Sequence, residues 1–182
     1  MTKFRAKVKI KEILGGSKTF FGKFFTKCIV DAGSMELTAY IEEDCDKIEK
    51  NAVIESDEVY FTGKLDYLDS LNPILRICNW KLAPQPKTSD MFVIKAEGVL
   101  CKSKKAVLKN VGKHSIPFIA TSLEITNEND RVYKIMLVAF NKNAIKVNDF
   151  EDKQEVTVTA RLVHSKESSG YELNVVNIDA IC

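Results

Sequence analysis

The residues of this chain that can do chemistry are cations set between aromatic rings. In residues 3–11 the odd positions are Lys3, Arg5, Lys7, Lys9 and Lys11, and the even ones Phe4, Ala6, Val8 and Ile10. On a β-strand that spacing puts five cations on one face and a core on the other. Gly15, Gly16 and Ser17 signal a turn. After it, Phe21, Lys23, Phe25 and Lys27 fall on one side, and Phe20, Gly22, Phe24, Thr26, Cys28 and Val30 on the other. One side of the resulting hairpin carries seven cations and two phenylalanines. Cations draw phosphates and flat apolar rings stack on unpaired bases, so the pattern suits a ligand that is both polyanionic and stackable, such as single-stranded nucleic acid. The plainer reading is that a half-buried strand places lysine outside because something polar must stand there. The phenylalanines argue against it. Phe20, Phe21, Phe24 and Phe25 form two adjacent pairs, and neighbours on a strand cannot both enter one core.

A second basic cluster, Lys102, Lys104, Lys105, Lys109 and Lys113, has no acid within it and reads as a flap between two strands. Tyr40, Tyr60 and Tyr171 are further candidate stackers; for the first two the alternative is a half-buried ring with its hydroxyl in water. Phe118 follows Ile116 and Pro117 without clean alternation, which suits a core position rather than a stacking one. Trp80, the only tryptophan, is expected to seal a barrel or an interface. Enzyme chemistry finds no support. His114 and His164 have no partner at metal-ligand spacing, and no glycine-rich phosphate loop is present, so neither a metal nor a cofactor is expected. Glu42, Glu43, Asp44 and Asp46 could hold Mg²⁺, but acids collect at helix starts for dipole reasons alone.

The elements that would position these residues occur twice. Ala39 and Tyr40 find a likeness in Ala139 and Phe140, a shift of 100; Glu58, Val59, Thr62 and Leu65 match Glu155, Val156, Thr159 and Leu162, a shift of 97; Leu75 and Asn79 match Leu173 and Asn177, a shift of 98. Near-constant shifts read as a duplication. Strands are expected at 4–14, 20–30, 36–41, 58–68 and 74–82, with a short helix near 45–51. The second copy has them at 92–101, 116–125, 132–140, 154–164 and 171–181, with a helix near 142–148. Five strands with a helix between the third and fourth is the layout of an OB-fold, a five-stranded Greek-key barrel. The fold class is therefore all-β, two tandem OB-folds. Domains are expected at 1–83 and 91–182, joined by a stiff linker at 84–90 that holds Pro84 and Pro86.

The 182 residues, 45% hydrophobic and 29% charged, suit an ordinary globular chain, and the net charge of +2 conceals a polarised first half. Residues 1–30 hold eight cations against Glu12, whereas residues 42–58 hold eight acids against Lys47 and Lys50. No leader-like or membrane-length apolar run occurs, which places the protein in the cytoplasm, or in the host-cell cytoplasm if phage-encoded. Five cysteines without a Cys-x-x-Cys pair read as reduced, mostly buried thiols.

In the second copy FIATS at 118–122, IMLVAFNKNA at 135–144 and QEVTVTARL at 154–162 resemble the bacterial-type single-stranded DNA-binding protein family. There an Ala-Thr strand precedes an apolar strand ending in Phe, then a helix, then a Val-rich strand closing in Gly-x-Leu. Thr62, Gly63, Lys64 and Leu65 of the first copy lie nearer that closing motif than Ala160, Arg161 and Leu162 do. The resemblance covers 92–181 directly and 4–82 through the repeat. It implies a non-enzymatic, sequence-indifferent binder of single-stranded DNA acting in replication, recombination or repair. Partner proteins from those processes are compatible with it, and a membrane partner is not expected. The family's single domain with an acidic tail is replaced here by two domains ending in a strand, so recruitment through a tail is not expected. A monomer or dimer is expected rather than a tetramer. Single-stranded RNA remains an alternative ligand, and an adaptor role with the Phe-rich hairpin against another protein remains an alternative function.

Overall fold

The computed structural model describes residues 2–20, 23–32, 35–42, 58–67, 73–82, 92–103, 105–111, 113–127, 130–165 and 170–181. The chain divides into two compact units, Lys3–Phe92 and Val93–Cys182 with Met1–Thr2. The expected linker and the expected helix near 45–51 lie outside the described residues.

The first unit contains β1 (Thr2–Phe20), β2 (Lys23–Asp31), β3 (Glu36–Glu42), β4 (Glu58–Tyr67) and β5 (Pro73–Leu82). Their order is β2-β3-β5-β4-β1, and β1 closes back on β2. Only β3 and β5 pair in parallel. This is the OB barrel. Its interior follows the alternation in the sequence: Phe4, Ala6, Val8 and Ile10 meet Cys28 and Val30, Leu37, Ala39 and Ile41, Phe61 and Leu65, Leu75 and Ile77, all buried.

The turn expected at Gly15, Gly16 and Ser17 is not there: β1 runs through it to Phe20, opposite Lys23. Between Ile13 and Ser17 the strand spends two more residues than its partner does between Cys28 and Thr26, so the glycines sit in a bulge. A strand that must bend to pair with neighbours on both sides needs such a point of extra length, and glycine accepts the backbone angles it requires.

The second unit contains β6 (Phe92–Cys101), β7 (Val107–Val111), β8 (His114–Thr126), β9 (Val132–Phe140), α1 (Asn141–Asp149), β10 (Glu155–His164) and β11 (Tyr171–Ala180). It repeats the topology, with β6 paired to β10 and β8, and β9 parallel to β11. What was one long strand in the first unit is here divided. β6 leaves β8 after Cys101 opposite Ser122, and β7 rejoins it at Val107 opposite Phe118. The excess is again two residues. The helix buries Ala144 and Val147. Asn143 Nδ2 donates to the carbonyls of Val175 and Val176 at 3.3 and 3.0 Å, and Lys146 pairs with Asp179 at 2.5 Å. No helix among the described residues is long and apolar enough to cross a membrane.

Register makes the repeat visible. Thr62 faces Asn79 just before a bulge, after which Leu65 faces Leu75; Thr159 faces Asn177 just before a bulge, after which Leu162 faces Leu173. The third strand needs a correction. Ala39 pairs with Leu75 and Leu137 with Leu173, so Ala39 corresponds to Leu137, a shift of 98 and not 100. A slip of two residues along an apolar strand leaves every side chain on its own face, so alternation alone could not detect it.

At the bulge Gly63 is required by space. A Cβ there would lie 1.9 Å from the Arg76 carbonyl oxygen, and one at Gly98 would lie 2.3 Å from that of Glu124. Both oxygens belong to backbone and cannot swing away. Gly63→Ala is expected to cost about 1–3 kcal/mol, the usual range for overpacking. The corresponding Ala160 already carries a Cβ, so Ala160→Gly should show only the smaller cost of strand glycine. Denaturation of both variants checks the pair; equal midpoints would show that the first barrel relaxes freely at the bulge.

Candidate nucleic-acid interface

Side chains directly opposite one another on paired strands share a face. On the outer face of β8 and β9 the pair Phe118 and Phe140 faces outward, followed by Ala120 with Val138 and Ser122 with Met136. The two phenylalanine rings lie 5.2 Å apart, tilted by 52°, and both are half-buried. Met136 beside them is 44% exposed. Lys109 of β7 holds its ammonium 4.6 Å from the centre of the Phe118 ring, a cation–π contact. Val107, opposite Phe118, is 58% exposed. On β11 Asn174 lies beside Val138 and opposite Arg161. Its Oδ1 is buried without a hydrogen-bond partner, and an acceptor so placed can take a donor from a ligand.

The basic flap is a β-hairpin arm made by β7 and the first part of β8, and it is fastened at its root. Lys102 Nζ donates to the carbonyls of Asn148 and Phe150 at 2.6 and 2.5 Å, at the C-terminus of α1, where the helix dipole favours a cation. The Lys102 amide donates to Asp152 Oδ1 at 2.8 Å and the Ala106 amide to Asn148 Oδ1 at 3.0 Å. Thr121 Oγ1 donates to the Cys101 carbonyl at 2.5 Å. Lys102 therefore anchors the arm, while Lys105, Lys109 and Lys113 are exposed along it. Lys104 lies outside the described residues. Replacing Lys105, Lys109 and Lys113 by alanine is expected to lower the slope of log affinity against log salt by up to about 0.7 for each phosphate no longer neutralised. Titration at four salt concentrations reads this; an unchanged slope would place the arm away from the strand.

The first barrel corrects several expectations. The cation row of β1 is shared between two neighbours: Lys3, Arg5 and Lys7 lie opposite Lys64, Thr62 and Tyr60 of β4, while Lys9 lies between Glu58 of β4 and Asp31 of β2, on the outer face that Lys27 and Phe25 continue along β2. Lys3, Arg5 and Lys9 are exposed; Lys7 is only 8% exposed, and Lys11 is taken up by Glu36. Phe25 does lie on the outer face of β2, as its position predicts, but it is 1% exposed and packs with Tyr40 and Ile74. The Phe25 and Tyr40 rings meet edge-on at 6.5 Å. Tyr40, 6% exposed, is thus a packed residue and not an outward stacker. Lys27, half-buried, lies opposite Tyr40. Phe21 lies outside the described residues, and for Lys23 and Tyr60 only the backbone is described. Tyr171 opposes His164 at the end of the β10–β11 hairpin, their rings edge-on at 5.4 Å, on the side of the core residue Leu173 and away from the face of Phe118.

Among the cysteines Cys28 is buried, and burial pushes its thiol up to about 12, so it is unreactive at neutral pH. Cys78 is exposed and Cys101 half-buried, and Cys45 and Cys182 lie outside the described residues. No group of three or more potential metal ligands occurs among the described residues.

Two closed OB barrels in tandem, the second presenting paired aromatic rings beneath a basic arm, define the structural class. No family model matches the sequence, and no curated protein does. Among solved structures the chain is similar to the single-stranded DNA-binding protein from Thermus aquaticus. The wild-type protein aligns with a TM-score of 0.69 at 10% identity, over 100% of this chain and 92% of that one. A deletion mutant of it aligns with a TM-score of 0.70 at 10% identity, over 100% and 95%. At such identity the likeness is one of fold, and it spans both units.

Proposed function

We propose that this protein binds single-stranded DNA without sequence preference and performs no catalysis. The observation that carries the reading is the Phe118–Phe140 pair on the outer face of the second barrel with Lys109 over one ring. Unpaired bases stack on such rings, and the contact tolerates any base because every base has a flat apolar face. As a base approaches Phe118, Lys109 exchanges the ring for the incoming phosphate, and Lys105 and Lys113 on the same arm extend the track of charge. Each lysine so engaged releases a condensed counterion, which makes the affinity fall with salt. The full-length likeness in fold to a protein named for single-stranded DNA binding supports the same reading. Coverage of exposed strands during replication, recombination or repair is the role that follows, with a protein of one or two chains per assembly.

Titration of labelled oligo-dT, oligo-U and duplex DNA at two salt concentrations tests it. Salt-sensitive binding of oligo-dT in preference to duplex is expected. Preference for oligo-U would move the ligand to RNA, and no binding at low salt would leave the exposed rings to a protein partner. Light scattering checks the assembly: a mass near four times 20.5 kDa would refute a monomer or dimer.

A further inference from the structure

We infer that the two barrels are not equivalent binders: stacked bases sit on the second barrel alone, and the first contributes charge without stacking. The inference rests on the single-strand reading above and concerns how that binding is divided. Its basis is the pair of residues standing opposite each other at the same place in the two sheets. Register aligns Phe25 with Phe118 and Glu42 with Phe140, since Phe25 faces Glu42 across β2 and β3 as Phe118 faces Phe140 across β8 and β9. The second barrel therefore has two rings where the first has a ring and a carboxylate.

Exposure follows the same division. Phe25 is closed off against Tyr40 and Ile74, whereas Phe118 and Phe140 are half-open, with Met136 and Val107 exposed around them. A base cannot reach the face of a ring that is already covered. Glu42, itself 9% exposed, offers no ring at that place. Among the described cations of the first barrel, Lys3, Arg5, Lys9 and Lys11 are exposed on β1; Lys3 and Arg5 lie opposite β4, and Lys9 lies between Glu58 of β4 and Asp31 of β2. They can hold a backbone passing over that barrel, and the described rings of the same outer face, Phe25 and Tyr40, are closed off.

Matched substitutions separate the barrels. Phe118→Leu and Phe25→Leu both remove a ring while keeping an apolar side chain, so Phe25→Leu leaves the first barrel filled. With oligo-dT, Phe118→Leu is expected to weaken binding roughly tenfold, within the range for one stacked base, and Phe25→Leu to leave it within about twofold of wild type. Equal losses in the two variants, with both folded by circular dichroism, would overturn the inference, as would an unchanged Phe118→Leu. If Phe25→Leu fails to fold, photo-crosslinking of the wild-type protein to an oligonucleotide carrying 5-iododeoxyuridine decides. Crosslinked peptides from β8 and β9 support the division, and crosslinks to β2 or β3 refute it. Failure of the wild-type protein to bind oligo-dT at all is a different result and counts against the single-strand reading itself.

Discussion

Replacing Phe118 and Phe140 together by alanine is expected to weaken oligo-dT binding by roughly 2–6 kcal/mol, at about 1–3 kcal/mol for each stacked base. That is about 30-fold to more than 10⁴-fold in affinity. The same change should disturb the fold far less. Both rings are half-buried on the outside of the sheet, and their mutual contact at 5.2 Å is worth about 0.5–1.5 kcal/mol beyond the area they cover. The interior behind them, Ile119, Leu123, Leu137 and Ala139, is untouched. Binding should therefore collapse in a protein whose denaturation midpoint moves only modestly. A parallel loss of both would identify the rings as structural, and intact binding would move the ligand off this face.

The barrels were legible because their interior follows strict alternation. In β1 the cations and apolar residues trade places at every step, and all four even positions from Phe4 to Ile10 are buried. The repeat was legible for the same reason, and the matching bulges after Thr62 and Thr159 bear out the shifts of 97 and 98. Closure of the barrel was not. Gly15 and Gly16 carry the composition of a turn, and only the pairing of β1 with two partners shows that they supply extra length within a strand. Local composition cannot distinguish a chain that reverses from one that bends while staying paired.

The outer faces were half-legible. Parity assigned Phe25 to the outside of β2, which holds, but exposure depends on what lies over a face, and Tyr40 and Ile74 close the ring in. The slip of the third strand had a larger consequence. Aligning Tyr40 with Phe140 made the two copies look aromatic at the same place, whereas register sets Glu42 against Phe140. The signal that would have found the Phe118–Phe140 pair was the repeat itself, extended back to the second strand at a shift of 93, where Phe25 and Phe118 coincide. Lys102 illustrates a further limit: within a basic cluster nothing in the sequence separates the lysine that caps a helix from those that remain on the arm.

Phe25→Ala is the reverse case, and it is expected to cost stability rather than affinity. Full burial of the ring puts it in the class of core phenylalanines whose truncation costs about 3–5 kcal/mol. The edge-on packing against Tyr40 disappears with it, and Ile74 is left facing a void. Domains of this size are stable by only about 5–15 kcal/mol, so a large part of the first barrel's margin would go. Cys28, three residues along the same strand and buried with its thiol pushed up to about 12, reports the destabilisation locally. Its alkylation requires the first barrel to open, so the rate should rise on the order of 10²-fold or more in Phe25→Ala, at about 1.4 kcal/mol per factor of ten. The labelling rate of Cys101 in the second unit serves as the control. Should Cys28 remain as protected as in the wild type while oligo-dT binding falls, Phe25 would be a ring that meets the strand after all, and the closed face of the first barrel would have to open for the ligand.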